Sequence, residues 1–330
     1  MKPLIICSFV LVPFFCYSQY TYNHLQVNFL QSDTAAKAYT YGNLRLYPVY
    51  AKESFTAQFK AVGKYMPLQE ALQKGKVKIK EKAGGGTVNT LSIENISSDT
   101  VIVICGDVVK GGQQDRIIEK DLVLKPKSGK KELKVFCVES GRWYANSERA
   151  AENRNAIQNE PAPAEFKAHY NKGSMALRKV VEKDKDQSKV WSKVEEINVK
   201  NVTITPTKTY TALSSSKSYA KKLDDYLTFF RNKFAANKNV IGVVVATGNK
   251  VLGCDLFATP ALFKSQFPSL LHSYATEAIV SGKPVTASAS IVKVYMDKLL
   301  KDESTQQATL KQKGTAFVEE GKKLRVSSFD

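Results

Sequence analysis

Along the first half of the chain, apolar and polar positions change places at short range. Leu44, Leu46 and Pro48 share one side of a stretch from Leu44 to Tyr50 that reads as a strand. Pro67 is expected to open a short helix carrying Leu68, Ala71 and Leu72, because the first helical turn does not need the N–H that proline lacks. After a flexible break at Gly84-Gly85-Gly86, Thr87 to Glu94 alternates Leu91 and Ile93 with polar neighbours. The chain turns at Asn95–Asp99, and Val101 to Cys105 is apolar throughout, as in a strand buried on both faces. Ile117 to Leu124 and Leu133 to Val138 complete a set of short strands separated by turn residues, the pattern of an antiparallel sheet or small sandwich.

The period changes near Tyr144. A polar link, Asn153 to Pro163, leads into helical spacing at Val190, Trp191, Val194 and Ile197. The spacing is clearer at Tyr219, Leu223, Leu227, Phe230 and Phe234, on a helix capped by Ser216 or Ser218. Val240 to Ala246 reads as a buried strand that returns through a Gly248-Asn249 turn as Val251 to Phe257. Thr259-Pro260 caps another helix, which Pro268 is expected to bend into a second one ended by Gly282. Ile291, Tyr295 and Leu299 mark a last helix, and the tail from Ala316 to Val326 reads as a small hairpin. The predicted fold class is α+β: a sheet-rich N-terminal half packed with a helix-rich C-terminal half around a buried β-hairpin. The expected division is residues 1–18, 19–144 and 145–330, the last two integrated in one domain.

The first eighteen residues change the picture. Lys2 is the only charge before Asp33, and an apolar run from Leu4 to Phe15 is too short to span a bilayer, which takes ~20 residues. This is the pattern of an export signal cleaved after Ser18, and the expected location is periplasmic or secreted. Cys16 offers a second reading as a lipoprotein cysteine, but the bulky Pro13-Phe14-Phe15 before it argues against that. No later stretch is apolar enough to predict a transmembrane segment. Removing the leader also removes Cys7 and Cys16, leaving Cys105, Cys137 and Cys254. Buried free thiols are the preferred reading, with Cys105 and Cys137 the one pair open to bridging.

The net charge of +18 predicts a surface drawn to anions. With 41 Lys and only 8 Arg, however, the chain lacks the guanidinium forks that read bases and phosphates, so dedicated nucleic-acid binding is not expected. The densest cluster, Lys125, Lys127, Lys130, Lys131 and Lys134, surrounds Pro126 and Ser128-Gly129 and reads as a charged hairpin tip.

Familiar catalytic patterns are missing. His24, His169 and His272 are far apart in sequence and predict neither a zinc site nor a histidine base. Gly106 to Gly111 has the glycine spacing of a phosphate loop, but Gly112-Gln113 replaces the needed Lys-Ser/Thr. Two polar segments stand out: Gly106-Asp107-Val-Val-Lys110-Gly111-Gly112-Gln113-Gln114-Asp115-Arg116 and Cys137-Val-Glu139-Ser-Gly-Arg142-Trp143-Tyr144. If strands 101–105 and 133–138 are neighbours, both emerge at one end of a sheet and gather Asp107, Asp115, Arg116, Glu139 and Arg142. Such a group can hold a sugar or phosphate, or polarise a water, with Asp107, Asp115 or Glu139 as the catalytic carboxylate. Lys110, Gln113, Gln114, Arg116, Arg142 and Trp143 are the candidate ligand-binding residues. The alternative is internal ion pairs fixing two tight turns. Cys137, with no histidine near it in sequence, is not expected to be a nucleophile.

Asp107-Val-Val-Lys-Gly-Gly-Gln-Gln-Asp-Arg116 and Phe136-Cys-Val-Glu-Ser-Gly-Arg-Trp143 resemble the signature of the ADP-ribosylglycohydrolase- and rhodanese-phosphatase-associated domain family. Gly253-Cys-Asp-Leu-Phe-Ala-Thr-Pro-Ala-Leu-Phe263 and Leu271-His-Ser-Tyr-Ala275 resemble its second-half signature, and the likeness runs from about Tyr41 to Ser281. The family has no established activity. Its company with enzymes that handle ADP-ribose and related phosphates implies an anionic small-molecule ligand, phosphorylated or nucleotide-sugar-like. The expected function is a module binding such a ligand. The alternatives are a hydrolase of a phosphorylated or ribosyl substrate, or a cell-envelope interaction protein whose basic surface meets acidic polymers. No cofactor or metal is implied, and the pattern sets no oligomeric state.

Overall fold

Val240–Thr247 is buried at every position, as its run of Val, Ile and Ala demands, and both of its edges are paired. On one side it turns through Gly248-Asn249 and pairs antiparallel with Lys250–Phe257. On the other it pairs with Leu44–Ala51 from the first half of the chain, Val243 opposite Pro48 and Val244 opposite Tyr47. The tail hairpin, Gly314–Glu319 with Lys322–Phe329, adds beyond Lys250–Phe257. Leu25–Val27 and Thr40–Tyr41 complete a seven-stranded, nearly closed, barrel-like sheet. The expected buried hairpin is therefore the middle of a sheet built from both ends of the sequence. The computed structural model describes residues 20–82, 89–141, 165–169, 172–203 and 205–330. The leader, the Gly84–Gly86 break, the Asn153–Pro163 link, Arg142 and Trp143 lie outside those residues.

Among the described residues the remaining strands form two further sheets. Six strands run in the order Lys167–Ala168, Val108–Lys110, Arg116–Ile118, Gly129–Cys137, Thr90–Asn95 and Val77–Glu81. Three run Leu122–Leu124, Val101–Val103 and Met66–Pro67. The stretch from Ile117 to Leu124, read as one strand, is thus two strands in different sheets. Asp121 divides them, its carboxylate turned inward to Arg325. The lysine-rich turn is likewise a link between sheets rather than a hairpin tip, since Leu122–Leu124 and Gly129–Cys137 pair with different partners.

Helices cover the second half. Gln187–Lys200 and Lys217–Phe230 are capped by Asp186 and Ser216, whose side chains accept from Lys189 N and Tyr219 N. Pro260–Ser281 is one helix, not the expected two. Pro268 denies it one backbone bond and costs about 3 kcal/mol. Phe267, Leu270, Leu271, Tyr274, Ala275 and Ala278 are buried along it, and each large apolar side chain so buried contributes roughly 1.5–3 kcal/mol, so packing outweighs the proline. Ala289–Leu300 matches the last expected helix, and Glu303–Lys313 follows it.

One hydrophobic cluster reaches from Tyr20 to Phe329. It joins Ile102, Ile104, Val108 and Phe136 of the sheet-rich half to the helices of the other. A smaller cluster around Ile79, Ile93, Val101 and Leu133 lies under the six-stranded sheet. Cys105, Cys137 and Cys254 are buried and outside any disulfide. Among the described residues no helix is long and apolar enough to cross a membrane.

Candidate functional site

The two polar segments meet, but not as one group. Val101–Val103 and Gly129–Cys137 are not neighbours: the latter pairs with Thr90–Asn95 and Arg116–Ile118. Asp107 and Asp115 sit at opposite ends of the hairpin made by Val108–Lys110 and Arg116–Ile118. Three extended residues separate them, roughly 10 Å.

At the tip, the turn from Gly111 to Asp115 is held by its own carboxylate. Asp115 Oδ1 accepts from Gly111 N at 3.1 Å, and Oδ2 accepts from the Thr209 and Thr211 hydroxyls at 2.7 Å each. Asp115 N in turn donates to Glu139 Oε2 at 3.0 Å. Gly112 adopts φ +54°, and a Cβ there would lie 2.2 Å from the Phe166 ring, so the turn admits only glycine. Arg116 is wholly buried. Its Nη1 donates to Gln114 O at 2.8 Å, and Nη2 stands 3.6 Å from Glu81 Oε1, which also accepts from Gln113 N at 3.0 Å. Asp115, Arg116, Glu139, Gln113 and Gln114 therefore come together, with Glu81, Thr209 and Thr211 added, while Lys110 is exposed beside them. Cys137 lies opposite Arg116 in register. Burial pushes its thiol up to about 11 against the pull of Arg116, so it is no thiolate nucleophile. Burial likewise drives the His169 imidazole down to about 4, with Asp115 opposing.

Asp107 faces elsewhere. Its Oδ1 accepts from Lys172 Nζ at 2.6 Å and from Ser269 Oγ at 3.4 Å, and its Oδ2 from Ile104 N at 3.3 Å. It forms part of the wall of a cleft of about 210 Å³ between the Leu68–Gln73 helix and the middle of Pro260–Ser281, with Gln69, Glu70, Gln266, Ser269 and His272. Gln69 Nε2 donates to Val108 O at 3.2 Å. This leaves Gln69 Oε1, like the buried Gln266 Nε2, without a hydrogen-bond partner. His272 is neutral at physiological pH: burial takes its imidazole to about 4, with lesser pushes from His169 and Arg231.

Behind this wall runs a buried ion network. Arg178 grips Asp255 with both ends of its fork, at 3.0 and 2.6 Å. Arg325 contacts both Asp121 oxygens, at 3.0 and 2.9 Å, and reaches Glu182 at 3.2 Å and Asp255 at 2.9 Å. The Tyr274 hydroxyl also donates to Asp255 Oδ2, and the Thr315 and Ser327 hydroxyls donate to Glu182 Oε2, at 2.7–2.8 Å. Two cations thus serve three carboxylates. Burial raises all three, but the guanidiniums hold Asp255 and Glu182 below the usual carboxylate range, while Asp121 stays raised despite Arg325. Gly106, at φ +86°, lies against Arg178, where a Cβ would stand 2.6 Å from Arg178 Cγ.

Sequence reading missed Glu81, Lys172, Arg178, Glu182, Asp255 and Arg325. Two of them carried a signal: Asp255 interrupts the apolar run from Leu252 to Phe257 and Arg325 stands between Leu324 and Val326, and charges are almost never fully buried unless paired. Among the described residues no group of three or more His, Cys, Asp or Glu side chains can hold a metal ion. What the cleft offers is a fixed carboxylate, amides and a hydroxyl, a set suited to hydrogen-bonded recognition. No curated protein and no solved structure matches the chain. The sequence model of the ARG and Rhodanese-Phosphatase-superfamily-associated Protein domain matches residues 34–330, nearly all of the chain beyond the expected leader, and the chain belongs to that family.

Proposed function

We propose that this is an exported module that binds a small phosphorylated or nucleotide-sugar-like molecule, and that the cleft beside Asp107 receives it. One observation carries the reading: a buried carboxylate already fixed by three donors shares a cleft with two glutamines that each bury one amide atom without a partner. Buried polar groups are ordinarily satisfied, and convergent exceptions mark binding sites. The Arg116–Asp115–Glu139 cluster backs the other end of the same hairpin and adds a buried cation for an anionic ligand, its Nε without an acceptor. Lys110, Gln113, Gln114, Arg142 and Trp143 remain the proposed companions of Arg116. Export rests on the Lys2 to Ser18 pattern, and a mature N-terminus at Gln19, read by mass spectrometry of the secreted or periplasmic protein, tests it.

The binding test is thermal unfolding of residues 19–330 against ADP-ribose, NAD, sugar phosphates and an acidic polysaccharide. A ligand at a hundred times its Kd adds about 2.7 kcal/mol. A shift lost in Asp107→Asn supports the cleft, and one lost only in Arg116→Gln moves the site to the hairpin tip. A polysaccharide shift alone, abolished by salt, favours the envelope reading. A hydrolytic role for Asp107 is the second reading, favoured by its place against the Ser269 hydroxyl on the cleft wall. It requires that Asp107→Asn abolish turnover in a folded protein that still binds.

A further inference from the structure

We infer that the cleft recognises the hydroxyl groups of a single uncharged, sugar-like ring, and that any phosphate on the ligand lies outside it. The inference rests on the binding reading above and narrows it. The first support is charge. Among the described residues the cleft lining contains two carboxylates, Asp107 and Glu70, and neither Lys nor Arg. Both carboxylates are already paired from outside the lining, Asp107 with the fully buried Lys172 at 2.6 Å and Glu70 with the exposed Lys74 at 2.5 Å. A phosphate placed here would meet two carboxylates whose cations are already engaged with them, an arrangement unfavourable to an anion.

The second support is hydrogen-bond character. Val108 O takes the Gln69 amide nitrogen and so fixes which end of that side chain is left over: the acceptor Oε1. Gln266 contributes the opposite character, the donor Nε2. Both atoms are buried without a protein partner on residues of the cleft lining, so a ligand hydroxyl that reaches either amide supplies the missing hydrogen bond. Ser269 and Asp107 add a hydroxyl and a carboxylate. Alternating donors and acceptors match vicinal hydroxyls, each of which both donates and accepts. The third support is size. At about 210 Å³ the cleft is smaller than the ~300–1,000 Å³ that takes a drug-sized ligand, so it admits one ring and not a dinucleotide.

Isothermal titration of residues 19–330 with a set of free pentoses and hexoses, the matching sugar phosphates and inorganic phosphate tests this. At least one free sugar should bind, with its phosphate binding no more than threefold tighter and inorganic phosphate not competing. Gln266→Leu and Ser269→Ala should each weaken that sugar tenfold or more. Gln266→Leu should leave the ligand-free protein as stable as wild type, since the buried Nε2 it removes is unpartnered, whereas a merely structural glutamine would show as lost stability. Binding confined to sugar phosphates, or competed by inorganic phosphate, overturns the inference and leaves the binding module standing. Sugar binding untouched by both substitutions also overturns it, by placing the site elsewhere. Absence of binding by every probe overturns both.

Discussion

Replacing Arg325 by Met removes the cation shared by three buried carboxylates. The side chain is 1% exposed and contacts Asp121 through one terminal nitrogen and Glu182 and Asp255 through the other, all between 2.9 and 3.2 Å. Arg178 alone cannot replace it, because its fork is committed to Asp255 and stands 3.9 Å from Glu182. Breaking a buried pair from one side costs about 3–5 kcal/mol, because the remaining charge is left uncompensated. Here three carboxylates would share one cation, so about 4 kcal/mol is expected at pH 7, or a fall in Tm of roughly 10 °C. The pH dependence is the sharper test. In the wild type, Asp255 and Glu182 titrate below their unfolded values. Their contribution is present above about pH 4 and lost as pH falls through the depressed folded values. In the variant the folded carboxyls rise, which penalises folding increasingly as pH climbs above ~4. Urea unfolding followed by far-UV circular dichroism should therefore show a larger deficit at pH 8 than at pH 5, by about 1–2 kcal/mol. A loss below 1 kcal/mol, or one equal at both values, would refute the claim that the network is ionised and shared.

Three further outcomes are expected. Unfolding should take up protons between pH 6.5 and 4, because His169 and His272 titrate near 4 when folded and near 6.5 when not. Stability is whole above 6.5 and falls below it by up to roughly 3 kcal/mol per imidazole, and His272→Gln should flatten the profile measured by pH-dependent thermal unfolding. Gly106→Ala should destabilise by about 2–3 kcal/mol in urea titrations, since it forces φ +86° on an L-residue and drives a Cβ into Arg178, and Gly63→Ala, with open space around it, is the control. Thiol labelling should find Cys105, Cys137 and Cys254 unreactive in the native protein and all three reactive in denaturant, because burial raises every one of them.

The sequence by itself determined the elements whose reasons are local. Apolar periodicity at 219–230 made a helix with its Ser216 cap, unbroken Val and Ile at 240–247 made a doubly buried strand, and Gly248-Asn249 made its turn. Residue order alone also singled out the polar run from Asp107 to Arg116, which the fold places in one hairpin. Tertiary structure decided the rest, because the causes lie far apart in the chain. Pro268 failed to divide its helix because Phe267, Leu270 and Tyr274 pack against distant residues, and no local pattern carries that energy. Asp121 split an apparent strand because Arg325, 204 residues away, draws its carboxylate inward. Asp107 and Asp115, eight residues apart, parted company because a hairpin sends its two ends in opposite directions. Ser269 and Gln266 came beside Asp107 only through the packing of Pro260–Ser281 on the sheets, and Lys172 through a segment tied to Gly106 by the backbone bond from Gly173 N. A hydrogen bond needs a partner at about 3 Å, and which residues stand that close is a property of the folded chain.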